Sequence, residues 1–249
     1  MQCIVDGLVV GYDVLGKGKT IVMLHGWGAS RQSLSALAKE LSKKYQVVLV
    51  DVPGFGESAK PTKSWGLSEY AEWVQSFLQK IKIKNVYALL GHSNGGAIAI
   101  KLTSLGFQSE KLILLGAAGI RKRNRGRKLL FKAVAKTGKA ATIVLPKKVK
   151  KAIRNKWYKT IGSELYHAPG MEATFKKIAA EDMQLEAAMI CTPTLLIYGA
   201  EDEATPPLFG RIYHEAIEGS ELDIVEGAGH YSFVDRPEVV FARVRAFLG

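Results

Sequence analysis

Apolar residues recur along this chain with two different periods, and the two alternate. Val47–Val50, Val86–Leu90, Leu112–Leu115 and Thr194–Tyr198 are short, nearly continuous apolar runs, the pattern of strands buried on both faces of a sheet. Leu222–Val225 is a shorter candidate of the same kind. In one of the intervening stretches Tyr70, Trp73, Val74, Phe77, Leu78 and Ile81 recur at intervals of three and four. This predicts an amphipathic helix, capped by Ser68, whose apolar stripe is core and not a cofactor site. Ala97–Leu105 carries a second helical pattern. Near the start, Leu8–Asp13 and Thr20–Leu24 read as strands, and the Gly16-Lys17-Gly18-Lys19 stretch between them predicts a hairpin. Strand, helix and strand with short connections predict an α/β fold, a mostly parallel sheet covered by helices on both faces. Such sheets place their sites at the carboxyl ends of the strands.

The chain has 249 residues, 47% of them hydrophobic, enough to bury a full core as one domain that could carry an insertion. Two cysteines, Cys3 and Cys191, suggest neither a disulfide framework nor a metal site. The start of the chain has no basic region, Asp6 interrupts its apolar run, and no uncharged stretch is long enough to span a bilayer. A cytoplasmic, metal-free, soluble protein is the expectation. The net charge of +12 is unevenly spread. Residues 117–190 hold 18 Lys and Arg against 5 Asp and Glu, whereas the remainder holds 17 against 18. No acidic residue occurs from Arg121 to Lys159, so the excess is a local feature.

Candidate chemistry sits where strands end. Gly91-His92-Ser93-Asn94-Gly95-Gly96 follows one apolar run and precedes a helical pattern. Glycines two residues either side of a serine allow a turn too sharp for side chains there, and push the serine hydroxyl outward as a nucleophile. After Thr20–Leu24 comes His25-Gly26-Trp27-Gly28, where the Trp27 N–H can join that of Asn94 in holding an oxyanion. His25 itself, ending a buried strand, reads as structural. Gly18-Lys19-Thr20 is no phosphate loop, because Asp13 stands where the first glycine is needed and a strand follows. After Thr194–Tyr198 come three competing acids, Glu201, Asp202 and Glu203. After Leu222–Val225 a glycine-rich loop carries His230, the best general base among the five histidines. Serine, acid, histidine is thus the chain order.

In these motifs the chain resembles the α/β-hydrolase-fold serine hydrolases, carboxylesterase- or lipase-like with a helical cap, over nearly its whole length apart from the basic segment. The matching stretches are His25–Gly28, Asp51-Val52-Pro53-Gly54-Phe55-Gly56-Glu57-Ser58, Gly91–Gly96, Tyr198-Gly199 through Asp202 to Thr205-Pro206, and Gly229-His230. The resemblance selects Asp202, three residues past the glycine that ends its strand. It implies an acyl-enzyme mechanism with Ser93, His230 and Asp202, without cofactor or metal. Dehalogenases and epoxide hydrolases of this fold carry aspartate at the Ser93 position, which sets them aside. The resemblance also implies a core over 1–118 and 189–249 and a cap inserted over 119–188; within it Val149, Ile153 and Trp157 at spacings of four, with basic residues around them, predict a helix over Lys147–Lys159. That cap suits an acidic acyl carrier protein, an anionic lipid surface, or plain solvation; nucleic acid is the weakest reading, for want of a recognition motif. Carboxylic ester hydrolysis is the leading expectation. Carbon–carbon bond hydrolysis by the same triad and a non-catalytic binding scaffold are the alternatives.

Overall fold

The computed structural model describes residues 1–121 and 170–249. Its strands are β1 (Gln2–Val5), β2 (Leu8–Leu15), β3 (Thr20–Leu24), β4 (Gln46–Val50), β5 (Val86–His92), β6 (Ser109–Leu115), β7 (Thr194–Gly199) and β8 (Glu221–Val225). They form one sheet in the order β1-β2-β4-β3-β5-β6-β7-β8. From β4 to β8 every neighbouring pair is parallel, and β1 and β2 add an antiparallel edge. The described helices are α1 (Ser35–Leu41), α2 (Leu67–Lys80), α3 (Asn94–Ser104), α4 (Glu172–Ile178), α5 (Gln184–Ala187), α6 (Pro207–Ala216), α7 (Ser232–Asp235) and α8 (Pro237–Leu248).

The apolar runs sort their side chains by a period of two into two cores. Val22, Leu24, Val48, Val50 and Leu89 pack with α2, α3 and α6 on one face. Ile21, Met23, Val47, Leu49, Ala88 and Leu90 pack with α1 and α8 on the other. Tyr70, Trp73, Val74, Phe77 and Leu78 of α2 are all in the first core, as their spacing predicts. No described helix is long and apolar enough to cross a membrane.

Two expectations change. β2 and β3 are strands but do not pair as a hairpin: β2 lies antiparallel to β4, and β3 sits between β4 and β5. The hairpin partner of β2 is β1, joined through Asp6-Gly7, both with positive φ (48° and 79°), a turn whose twist matches that of the strands. Nor does Ser68 cap α2. The N-cap is Gly66, whose N–H donates to Glu69 Oε2 (2.9 Å), while the Leu67 N–H donates to Glu181 Oε1 (2.9 Å). The segment Lys147–Lys159, His167 and most of the span 119–188 lie outside the described residues.

Candidate active site

Ser93 leaves β5 with φ 52° and ψ −116° and opens α3, a conformation costly for a non-glycine residue. The turn closes because its flanks are bare. A Cβ on Gly91 would run into the Gly95 carbonyl, and one on Gly95 into the Leu24 carbonyl. Ser93 is tied down through its backbone: its N–H donates to the Leu115 carbonyl (3.0 Å), and its carbonyl accepts from Gly96, Ala97 and Ala118. Its hydroxyl makes no hydrogen bond among the described residues.

Two neighbouring loops bring Asp202 and His230 together. His230 Nδ1–H donates to Asp202 Oδ2 at 2.8 Å. Asp202 Oδ1 accepts the N–H groups of Ala204 and Thr205, both at 2.9 Å, which explains why the acid sits at the head of this loop. Burial works to raise the Asp202 carboxyl, but the hydrogen bonds from His230 and Thr205 outweigh it and hold the group below its ordinary value. Glu201 and Glu203 are exposed, whereas Asp202 is buried.

His230 is joined to the serine turn through His92, whose Nε2–H donates to the His230 carbonyl (3.0 Å) one residue before Ser93. Burial pushes the His92 imidazole down to about 3, so it is neutral where enzymes usually operate. His25 Nδ1–H donates to the Gly26 carbonyl (2.8 Å) and Nε2 accepts the Val52 N–H (2.9 Å). Both nitrogens of His25 therefore serve the backbone. The N–H groups of Trp27 and Asn94, by contrast, find no acceptor among the described residues.

Trp27, Ser93, Asn94 and Thr205 line a cavity of about 390 Å³ whose other walls are largely apolar, including Ile120, Phe175, Ile178 and Phe209. Trp27 is wedged edge-on between Phe55 and Phe175, with ring centroids 4.8 and 5.2 Å away. A larger depression of about 780 Å³ runs between β8 and α8. No serine lines it, whereas the smaller cavity has Ser93 and Thr205 in its wall. Among the described residues no cluster of His, Cys, Asp and Glu is arranged to hold a metal ion.

A mostly parallel sheet with a serine at a strained strand–helix turn and an acid–histidine pair on later loops defines a hydrolase architecture. Residues 21–244 match the alpha/beta hydrolase family, and the chain belongs to that family. It is 29% identical over 256 residues to the AB hydrolase superfamily protein YisY of Bacillus subtilis, covering 94% of this chain and 92% of that one. It is 27% identical over 254 residues to a pimeloyl-[acyl-carrier protein] methyl ester esterase of Neisseria meningitidis, covering 92% and 93%. Among solved structures, a bacterial membrane phospholipase A superposes with a TM-score of 0.77 at 26% identity, covering all of this chain and 84% of that one.

The sequence did not single out Thr205 or His92 as part of this arrangement. For Thr205 the available signal was its place three residues after Asp202, where its own N–H reaches the carboxylate.

Proposed function

We propose that this hydrolase cleaves carboxylic esters through an acyl-enzyme, with Ser93 as nucleophile, His230 as general base and acid, and Asp202 orienting the histidine. The observation that carries the reading is the Asp202–His230 hydrogen bond at 2.8 Å on loops beside a serine held at φ 52°. Since the carboxylate takes Nδ1–H, the lone pair of Nε2 is the one free to accept the serine hydroxyl proton. As Ser93 Oγ bonds to the ester carbon, Nε2 takes the hydroxyl proton and the carbonyl electrons move onto oxygen. The N–H groups of Trp27 and Asn94, which have no acceptor among the described residues, are the donors for that oxyanion. Collapse breaks the bond to the alcohol, which leaves with the proton from His230. Water then repeats the two steps and frees the acid.

The apolar walls of the cavity favour an uncharged acyl group. The esterase relative supports the ester assignment, and together with the basic segment it supports an acyl chain delivered on an acidic carrier protein.

The test uses nitrophenyl esters of increasing chain length and a fluorophosphonate probe. The wild type should turn over the esters and take the label; Ser93→Ala should lose the label and at least about 10⁴-fold in kcat while keeping its fold. Undiminished turnover in Ser93→Ala would remove the proposal. A diketone assayed in parallel separates ester from carbon–carbon bond hydrolysis.

A further inference from the structure

Thr205 is buried and lines the cavity, and its hydroxyl has three partners at once. Oγ1 lies 2.7 Å from Asp202 Oδ2, 2.9 Å from the Gly116 carbonyl and 3.1 Å from His230 Nδ1. The first two can only accept, so the single hydroxyl proton goes to one of them. A lone pair is left facing Nδ1. Asp202 Oδ2 also faces Nδ1 as an acceptor, so both oxygens select the ring tautomer that carries its proton there.

The Gly116 end matters as much. Three consecutive carbonyls, those of Gly116, Ala117 and Ala118, lie within hydrogen-bond reach of the hydroxyls of Thr205, Tyr198 and Tyr213, the two tyrosines donating and Thr205 sharing its one proton between Gly116 and Asp202. The same short segment holds the serine, since Leu115 accepts the Ser93 N–H and Ala118 donates to the Ser93 carbonyl. Of the three hydroxyls only that of Thr205 also reaches Asp202 and His230.

We infer that Thr205 is a positioning residue that ties the Asp202–His230 pair to the segment anchoring Ser93, fixing both the plane of the imidazole and its separation from the nucleophile. The inference rests on the triad reading above. Its β-branched side chain suits the task, because a stiff χ1 keeps the oxygen aimed at all three partners. Thr205 acts through Asp202 and His230 and need not touch the reacting atoms.

Thr205→Val keeps the shape and removes the hydroxyl. With nitrophenyl butyrate as probe, kcat should fall about tenfold, the scale of one lost buried hydrogen bond, while KM stays within about twofold. In proton NMR the hydrogen-bonded Nδ1–H of His230 should give a downfield resonance in the wild type that broadens into exchange in Thr205→Val. Thr205→Ser should restore both the resonance and most of kcat. A valine variant with wild-type kcat and an intact resonance would overturn the inference. Should valine fail to fold, Thr205→Ala compared with Thr205→Ser makes the same comparison without added bulk. The resonance does not depend on turnover. A wild type inert to esters and to the fluorophosphonate would therefore strike the proposed function, whereas an unchanged resonance in the variant would strike Thr205 alone.

Discussion

Asp202 faces three N–H donors through its two oxygens, those of Ala204, Thr205 and His230, and the Thr205 hydroxyl lies 2.7 Å from Oδ2. A neutral amide cannot reproduce that pattern, because its NH₂ would face a donor and turn Nδ1 into an acceptor. Asp202→Asn should accordingly lower kcat by about 10⁴-fold with little change in KM, measured on a nitrophenyl ester. His92 contributes at the same scale but through stability. Its folded-state value is pushed from 6.5 to about 3, so between those limits the unfolded chain binds a proton that the folded protein does not. Stability must then rise with pH across that window and be lost as the pH falls through it. Buried His25 shifts in the same direction. His92→Asn keeps an N–H donor for the His230 carbonyl but removes the titration. Urea unfolding at several pH values should show the slope of stability against pH reduced by up to about 1.4 kcal/mol per pH unit, one proton's worth. An unchanged slope would mean that His92 is protonated in the folded state.

At the scale of elements, the loops after β3 and β4 are cross-braced by one buried carboxylate. Asp51 accepts the Arg31 N–H (2.7 Å), the Glu57 N–H (2.9 Å) and the Arg31 guanidinium, which also reaches Asp13 (2.7 Å) and Glu57 (3.0 Å). This brace holds in place the stretch that presents the Trp27 N–H. Asp51→Ala takes the one fully buried acceptor from the Arg31 and Glu57 N–H groups and leaves the guanidinium only its half-exposed partners Asp13 and Glu57, and should cost about 2–4 kcal/mol in chemical unfolding. Glu57→Ala removes a half-exposed partner and should cost no more than about 1 kcal/mol. Equal losses would show that burial of Asp51 is not what matters. The same elements mark where sequence was readable. β3, β4, β5 and β7 are fully or almost fully buried, and their apolar runs say so. β1 exposes Gln2 and Ile4 and has only four residues, so its pattern is thin, and Asp6-Gly7 is a less conspicuous turn signal than Gly16–Lys19. The serine turn and the histidine loop of the candidate site were legible because glycine spacing is a steric demand. Choosing Asp202 over its two acidic neighbours took family resemblance, since a run of three carboxylates carries no sign of which one turns inward. Thr205 was hidden for a related reason: a hydroxyl's three partners come from the segment after β6, its own loop and the loop after β8, and no local pattern encodes that meeting.

For the whole molecule, the most informative quantity is the separation of charge. The positive excess is confined to residues 117–190, and the rest of the chain is close to neutral. Steering of a charged substrate by such a segment acts on encounter and not on the bond-breaking step, because the charges attract the approaching partner without entering the transition state. An acyl ester carried on an acidic carrier protein should therefore show a KM that rises steeply with ionic strength, by about tenfold or more between about 0.05 and 0.5 M salt as the Debye length contracts. Its kcat should hold, and a small uncharged nitrophenyl ester should show neither effect, which separates loss of docking from damage to the site. Replacing Lys and Arg with Gln between Arg121 and Lys159 should flatten the salt dependence of the carrier substrate in proportion to the charges removed, again leaving the small ester untouched. A carrier substrate indifferent to salt would dissociate the basic segment from carrier recognition. Salt-sensitive binding to anionic vesicles, with no competition from the carrier protein, would instead assign the segment to a lipid surface.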